Sequence, residues 1–263
     1  MPNIQVITRE RHASQRFKRS TNYNFTATHA VTALVVQELP QAAVHMPIAF
    51  LATDGTFTPM ALLGLKPGKN LFVANNGQWV GGYVPAAYKS YPFVLANTPE
   101  GQQVLCFDED SGLLSTTEGE PFFADGTQPS KVVGEVFTFL NQHAANQKTT
   151  QRICALLQKH NLIQPWPIKI QGDAGEQTVA GLFRIDEAAL NQLPPDAFME
   201  LRDAGALLCA YCQLLSMQHL QTLGQLAQAH AAAEAKATPP LPTKNKKDLD
   251  LSFLEGSETF KFS

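Results

Sequence analysis

Charge is scarce in this chain. Only 16% of its 263 residues are Asp, Glu, Lys or Arg, against about a quarter in an average globular protein. The formal net charge is −3, so no strong field of either sign forms, which argues against nucleic-acid binding by bulk charge. Cysteine is rare as well. Four of them in this length make no disulfide framework and fit a reducing compartment. Long apolar runs are missing too: the longest, Ala204 to Leu215, already contains Gln213 and is too short to span a bilayer. The basic residues near the start are followed by no apolar core of the kind a signal peptide needs. Together these absences predict a soluble, cytoplasmic protein with no membrane span and no nucleic-acid partner.

The common catalytic and cofactor motifs are absent. Gly64-Leu65-Lys66-Pro67-Gly68-Lys69-Asn70 lacks the GK[ST] ending of a phosphate-binding loop, and no GxGxxG opens a helix. The seven histidines are scattered without HxH or HxxxH spacing. Ser216 and His219 lie one helical turn apart, yet no strand-turn elbow precedes the serine. Asp108-Glu109-Asp110-Ser111-Gly112 has its glycine one place early for a calcium loop and lacks the closing Glu, so it reads as a solvated turn. Cys209-Ala210-Tyr211-Cys212 falls inside an apolar helix, with no second pair and no helix start to stabilise a thiolate. Two buried small hydrophobes are the simpler reading. The residues therefore suggest no catalytic set, no cofactor and no metal.

What is present is organised in two halves. Residues 1–20 carry Arg9, Arg11, Arg16, Lys18 and Arg19 against Glu10 alone, a local +4 that leaves −7 for the rest. Residues 25–130 look β-rich: Ala33–Val36, Ile48–Leu51 and Val104–Phe107 have strand composition. Asn75-Asn76-Gly77 between Asn70–Ala74 and Gln78–Val80 signals a hairpin whose turn positions take positive φ. From Ser130 the period changes. Val132, Val133, Val136, Phe137 and Leu140 mark one helix, and Thr149–His160 a second. Ile168–Ile170 and Val179–Ile185 form a strand pair about Gly172–Gly175, and Asp186 caps a short helix reaching Leu193. A helical region runs from Pro194-Pro195 to about Lys236, broken at Gly205. The expectation is an α+β fold, with a mainly antiparallel β N-terminal half and a helical C-terminal half packed on it. Residues 238–247 have Pro/Lys linker composition. Leu249, Leu251, Phe253, Leu254, Phe260 and Phe262 then make an apolar tail, 248–263, expected to dock as an added strand or in a groove.

One stretch concentrates recognition chemistry. Between Trp79 and Phe93 lie Tyr83, Tyr88, Lys89 and Tyr91, with Pro85 and Pro92. Prolines fix an extended backbone, while Trp and Tyr offer rigid apolar bodies with polar tips. Such a segment is either the packed corner of a β-structure or a peptide-binding surface. Lys89 among tyrosines suits a cation–π contact or an anionic group.

At this segment the chain resembles the SapC family, named after a protein associated with bacterial surface-layer protein transport. The resemblance runs from about His12 to Met217. It rests on Glu38 with Pro47-Ile48-Ala49-Phe50, on Leu63–Phe72, and on Gly77-Gln78-Trp79, Tyr83-Val84-Pro85-Ala86 and Tyr91-Pro92-Phe93. Gly181–Asp186, Gly205-Ala206-Leu207 and Leu214-Leu215-Ser216 complete it. Lys89 and Ser90 stand where the family usually has arginine, and a lysine cannot copy the bidentate fork. His45-Met46 replaces an expected aromatic.

The resemblance implies one SapC-like domain over residues 1–237. With no catalytic signature, and with the aromatic-proline segment and the apolar tail, the chain reads as a non-catalytic cytoplasmic accessory protein that binds a peptide or protein partner. The resemblance implies a bacterial setting of surface-protein export or peptide modification. A halogenase-like or cupin-like modifying enzyme is a partner of the implied kind. The expected binding residues are Trp79, Tyr83, Tyr88, Lys89, Tyr91, Glu38 and His45; Phe253, Leu254, Phe260 and Phe262 would dock a partner or pair copies of the chain into a homo-oligomer. The alternative is an enzyme acting on peptides, with Glu38, His45, Tyr88 and Lys89 meeting in one cleft.

Overall fold

The computed structural model describes residues 2–124, 127–172 and 175–237. The linker and apolar tail expected over 238–263 lie outside the described residues.

The fold is α+β. Its central sheet has five antiparallel strands in the order Ile163–Pro165, Leu182–Ile185, Ile48–Thr53, Thr56–Leu62 and Val31–Ala33. Two of the five come from the second half of the chain, so the helix-rich half also completes the sheet of the first. Ile48, Ala49 and Phe50 are fully buried there, as expected of a strand packed on both sides. The helix Ala206–Ser216 lies across this sheet. Gly205 precedes it at φ +72°, and this left-handed residue separates it from the helix Pro195–Asp203.

Two polar residues on the helix Ala206–Ser216 explain its hold on the sheet. The Gln213 amide donates to Ile48 O at 3.1 Å and accepts from Ile185 N at 2.8 Å. Ser216 Oγ accepts from Ile48 N at 2.9 Å. Backbone groups that a neighbouring strand leaves unpaired are thus satisfied by side chains, as a buried polar backbone requires.

A second sheet, Ile4–Val6, Gln103–Asp108 and Phe93–Asn97, is also antiparallel. A three-stranded ribbon sets Arg16–Phe17 between Leu114–Ser115 and Glu120–Pro121. The β-structure therefore starts well before residue 25. Phe17, Phe93, Phe107, Phe122 and Val133 form a small cluster distinct from the main core.

The two helices expected after Ser130 are one helix, Lys131–Lys159, with Val133 N donating to Ser130 Oγ at 3.4 Å. Its middle, Asn141–Lys148, has no apolar stripe, but it has no Gly or Pro either, so nothing stops propagation. Val133 joins the small cluster, while Ile153, Cys154 and Leu157 join the main core.

The Asn-Gly hairpin shrinks to a single bridge, Val73 with Trp79. Gly77 N donates to Ala74 O, and only Gly77, at φ +81°, takes a positive angle. The strand pair at 168 is Ile168–Gly172 with Gly175–Val179. After Gly181, at φ +82°, Leu182–Ile185 leaves it for the central sheet. Asp186 does cap the next helix, Glu187–Asn191, accepting from Ala189 N at 3.0 Å.

Candidate functional site

Glu38 is the anchor of the aromatic-proline segment. It ends a single turn of 3-10 helix, Val36–Glu38, and is 6% exposed. A carboxylate that deep needs partners, and it has three. Oε1 accepts from Val35 N at 2.9 Å; Oε2 accepts from Tyr83 Oη at 2.7 Å and from Ala86 N at 2.8 Å. Burial pushes the Tyr83 hydroxyl far above its ordinary pKa, and the hydrogen bond and charge of Glu38 add to that. Tyr83 therefore remains a donor at physiological pH.

From Tyr83 the segment spreads into an aromatic layer. Trp79 Nε1 donates to Tyr83 O at 2.8 Å, and the indole stacks on Phe72 at 5.4 Å. Its other neighbours are Tyr23 at 5.6 Å and Tyr88 at 6.1 Å, both edge-on. Tyr88 is buried, with Oη 3.2 Å from His29 Nδ1. Burial raises its pKa. Tyr91 stacks flat on Phe25, with centroids 3.8 Å apart and planes 6° from parallel. Its pKa is raised by burial and then by Asp108. Lys89 is exposed and holds its ammonium 4.6 Å from the Tyr83 ring centroid, a cation–π contact.

This layer forms one wall of a cleft of about 250 Å³. Tyr88, Lys89, Ser90, Tyr91 and Pro92 supply that wall together with Tyr23 and Phe25, whose rings pack on Trp79 and Tyr91; Lys18 and Arg19 line a second side, and Val132, Glu135 and Val136 of the long helix the third. Phe17 and Phe93 bring the small apolar cluster up to the cleft. The charged groups on its lining are Lys18, Arg19, Lys89 and Glu135. Lys18 pairs with Glu118, and Arg19 with Glu120 at 2.7 Å. Among the described residues, Lys89 has no carboxylate within ion-pair distance.

The expected binding residues thus divide. Tyr88, Lys89 and Tyr91 line the cleft, and Trp79 and Tyr83 back it. Glu38 lies behind Tyr83 with both oxygens occupied. His45 rests on the backbone of Gly82, where any side chain would strike the imidazole. Glu38, His45, Tyr88 and Lys89 therefore do not meet in one cavity, as the enzymatic alternative required. Phe253, Leu254, Phe260 and Phe262 lie outside the described residues.

Lys18, Arg19, Tyr23 and Phe25 line the cleft outside the expected binding set. Lys18 and Arg19 were visible as charge, but nothing local in the sequence ties Tyr23 and Phe25 to residues more than sixty positions away.

The cysteine pair sits deep in the main core. Cys209 is held well above its ordinary pKa, first by its hydrogen bond with Cys154 and then by burial. Burial also raises Cys212. Both are the reverse of a reactive thiolate. Among the described residues, no three His, Cys, Asp or Glu side chains are grouped to hold a metal. No described helix is long and apolar enough to cross a membrane.

The family model for SapC matches residues 7–223, more than half of the chain and all three walls of the cleft. The chain belongs to the SapC family. No curated protein and no solved structure matches it. The matched region of this SapC chain ends at Leu223, which lies on the C-terminal helix Leu220–Ala237 and is fully buried in the main core.

Proposed function

We propose that this SapC-family protein is a non-catalytic binding module that takes an extended peptide segment of a partner into the cleft between Lys18–Phe25 and Tyr88–Phe93. The observation that carries this reading is the pairing of an unneutralised cation, Lys89, with a rigid aromatic wall in one concavity. Stacked rings immobilised by their neighbours bind at small entropic cost, as paratope tyrosines do. The partner belongs to surface-protein export or peptide modification, the setting the family resemblance implies, and a halogenase-like or cupin-like enzyme fits it. The protein works in the cytoplasm.

A peptide array probed with the full chain tests the reading. Peptides carrying an acidic residue beside an aromatic one are expected to be retained, and Lys89→Glu to lose them. Capture that ignores peptide sequence, or that survives Lys89→Glu unchanged, contradicts it.

A further inference from the structure

We infer that the cleft has an occupant of its own: residues 248–263 of the same chain fold back into it and compete with the partner peptide. This rests on the cleft being a peptide site. Two observations support it, the charge pattern of the segment and the place where the described chain leaves off.

The segment has the composition that the cleft would select. Phe253, Phe260 and Phe262 supply rings, and Asp248, Asp250, Glu255 and Glu258 outnumber Lys261. The cleft answers with Tyr23, Phe25 and Tyr91 and with Lys89, unpaired among the described residues, while Lys18 and Arg19 beside it are paired with Glu118 and Glu120. Over Asp248-Leu249-Asp250-Leu251-Ser252-Phe253, polar and apolar residues alternate. That pattern lets an extended segment turn one row of side chains to a groove and the other to charges on its rim. The preceding stretch, with Lys244, Lys246 and Lys247, has the opposite sign and offers Lys89 no counter-charge.

The described residues also leave off beside the cleft's aromatic wall. The helix Leu220–Ala237 is fixed near its end by Lys69 with Glu234 and by His230 Nε2, 3.0 Å from Leu71 O. Between Lys69 and Leu71, Asn70 donates to Thr26 O at 3.1 Å. Thr26 follows Phe25, the ring stacked on Tyr91 in the cleft. The ten residues 238–247 reach up to about 33 Å when extended, ample for a return to that wall.

The competing surface is an exposed apolar face at Leu208, Tyr211 and Leu215, which are 50%, 45% and 65% accessible. It has the right spacing for one helix face but no basic group among those three residues to meet the segment's acids.

The test is photo-crosslinking in the full-length protein, with benzoylphenylalanine in place of Phe260 and mass spectrometry of the products. Crosslinks to Tyr23, Phe25 or Tyr91 within a monomer are expected, falling about fivefold or more with Arg19→Glu plus Lys89→Glu. An excess of synthetic peptide 248–263 is expected to suppress them. Crosslinks to Leu208, Tyr211 or Leu215, to a second copy of the chain, or to scattered sites would overturn the inference, as would yields indifferent to both charge reversals. The peptide array separates the two failures, since a cleft that retains array peptides while the tail crosslinks elsewhere loses only this inference.

Discussion

The two apolar clusters of this protein differ in how many polar side chains they enclose. The main core admits several and bonds them: Gln213 and Ser216 satisfy backbone groups at Ile48 and Ile185, Thr150 Oγ1 accepts from Val36 N at 2.8 Å, and Glu38 gathers three donors. The small cluster is nearly all ring. Phe17, Phe93, Phe107 and Phe122 meet edge-on or tilted at 4.9–6.3 Å, and the imidazole of His12 beside them leaves Nε2 without a hydrogen-bond partner. Directional bonds fix register and admit one arrangement, whereas ring packing is graded and tolerates adjustment. The cleft lies where the second kind of packing meets the anchored aromatic layer of the first.

Substitutions should sharpen this contrast. The largest loss is expected from Glu38→Ala, which strands two backbone N–H groups and the Tyr83 hydroxyl at a cost of about 4 kcal/mol. Gln213→Leu leaves Ile48 O and Ile185 N unpaired and should cost about 3 kcal/mol. In the small cluster Phe122→Leu, an apolar exchange of similar size, should cost only about 1 kcal/mol. Urea midpoints of the three variants check the ranking; a Gln213→Leu protein as stable as Phe122→Leu would break the comparison.

Acid provides a smaller, directional test. Burial lowers the pKa of His12 and of His143 below the ordinary 6.5. The unfolded chain then binds more protons than the folded one as pH falls through 6.5, so stability is complete above that value and declines beneath it. Carboxylates held low by ion pairs, such as Glu109 beside Arg11, contribute their own loss only near and below 4.5. Denaturant titrations at pH 7.5 and 5.5 should therefore show a drop that shrinks in His12→Gln. A drop of undiminished size would remove His12 from the account.

The smallest effect on stability is expected at Lys89. Exposed and touching only a ring face, it should tolerate Lys89→Glu within about 0.5 kcal/mol by the same urea assay. A change that small would leave the loss of peptide capture as a property of the cleft rather than of folding.

Much of the scaffold was legible from local pattern. Ile48–Leu51 and Val104–Phe107 announce their strands by β-branched and aromatic runs, Gly205 marks a helix break, and Asp186 marks a cap. The continuity of Lys131–Lys159 was not, because its middle, Asn141–Lys148, is polar and carries no apolar stripe to read. The reduced hairpin at Gly77 reflects tertiary forces: Trp79 turns onto Phe72 and Tyr83 instead of extending a ladder. Half of the candidate site was visible in the same way, because Tyr83 to Phe93 is contiguous. Its other half, Lys18 to Phe25, is brought there by contacts distant in sequence, Tyr23 on Trp79 and Phe25 on Tyr91, that no local spacing encodes. The distinction between Glu38, buried behind Tyr83, and Lys89, exposed on the cleft, also needed three dimensions.

Hydrogen–deuterium exchange of the full chain, with and without the strongest binder from the peptide array, tests the central claim most directly. The account predicts slowed exchange over residues 18–25, 88–93 and 131–136, with Ala206–Ser216 unchanged. Protection centred on Ala206–Ser216, with none at 18–25 and 88–93, would contradict it.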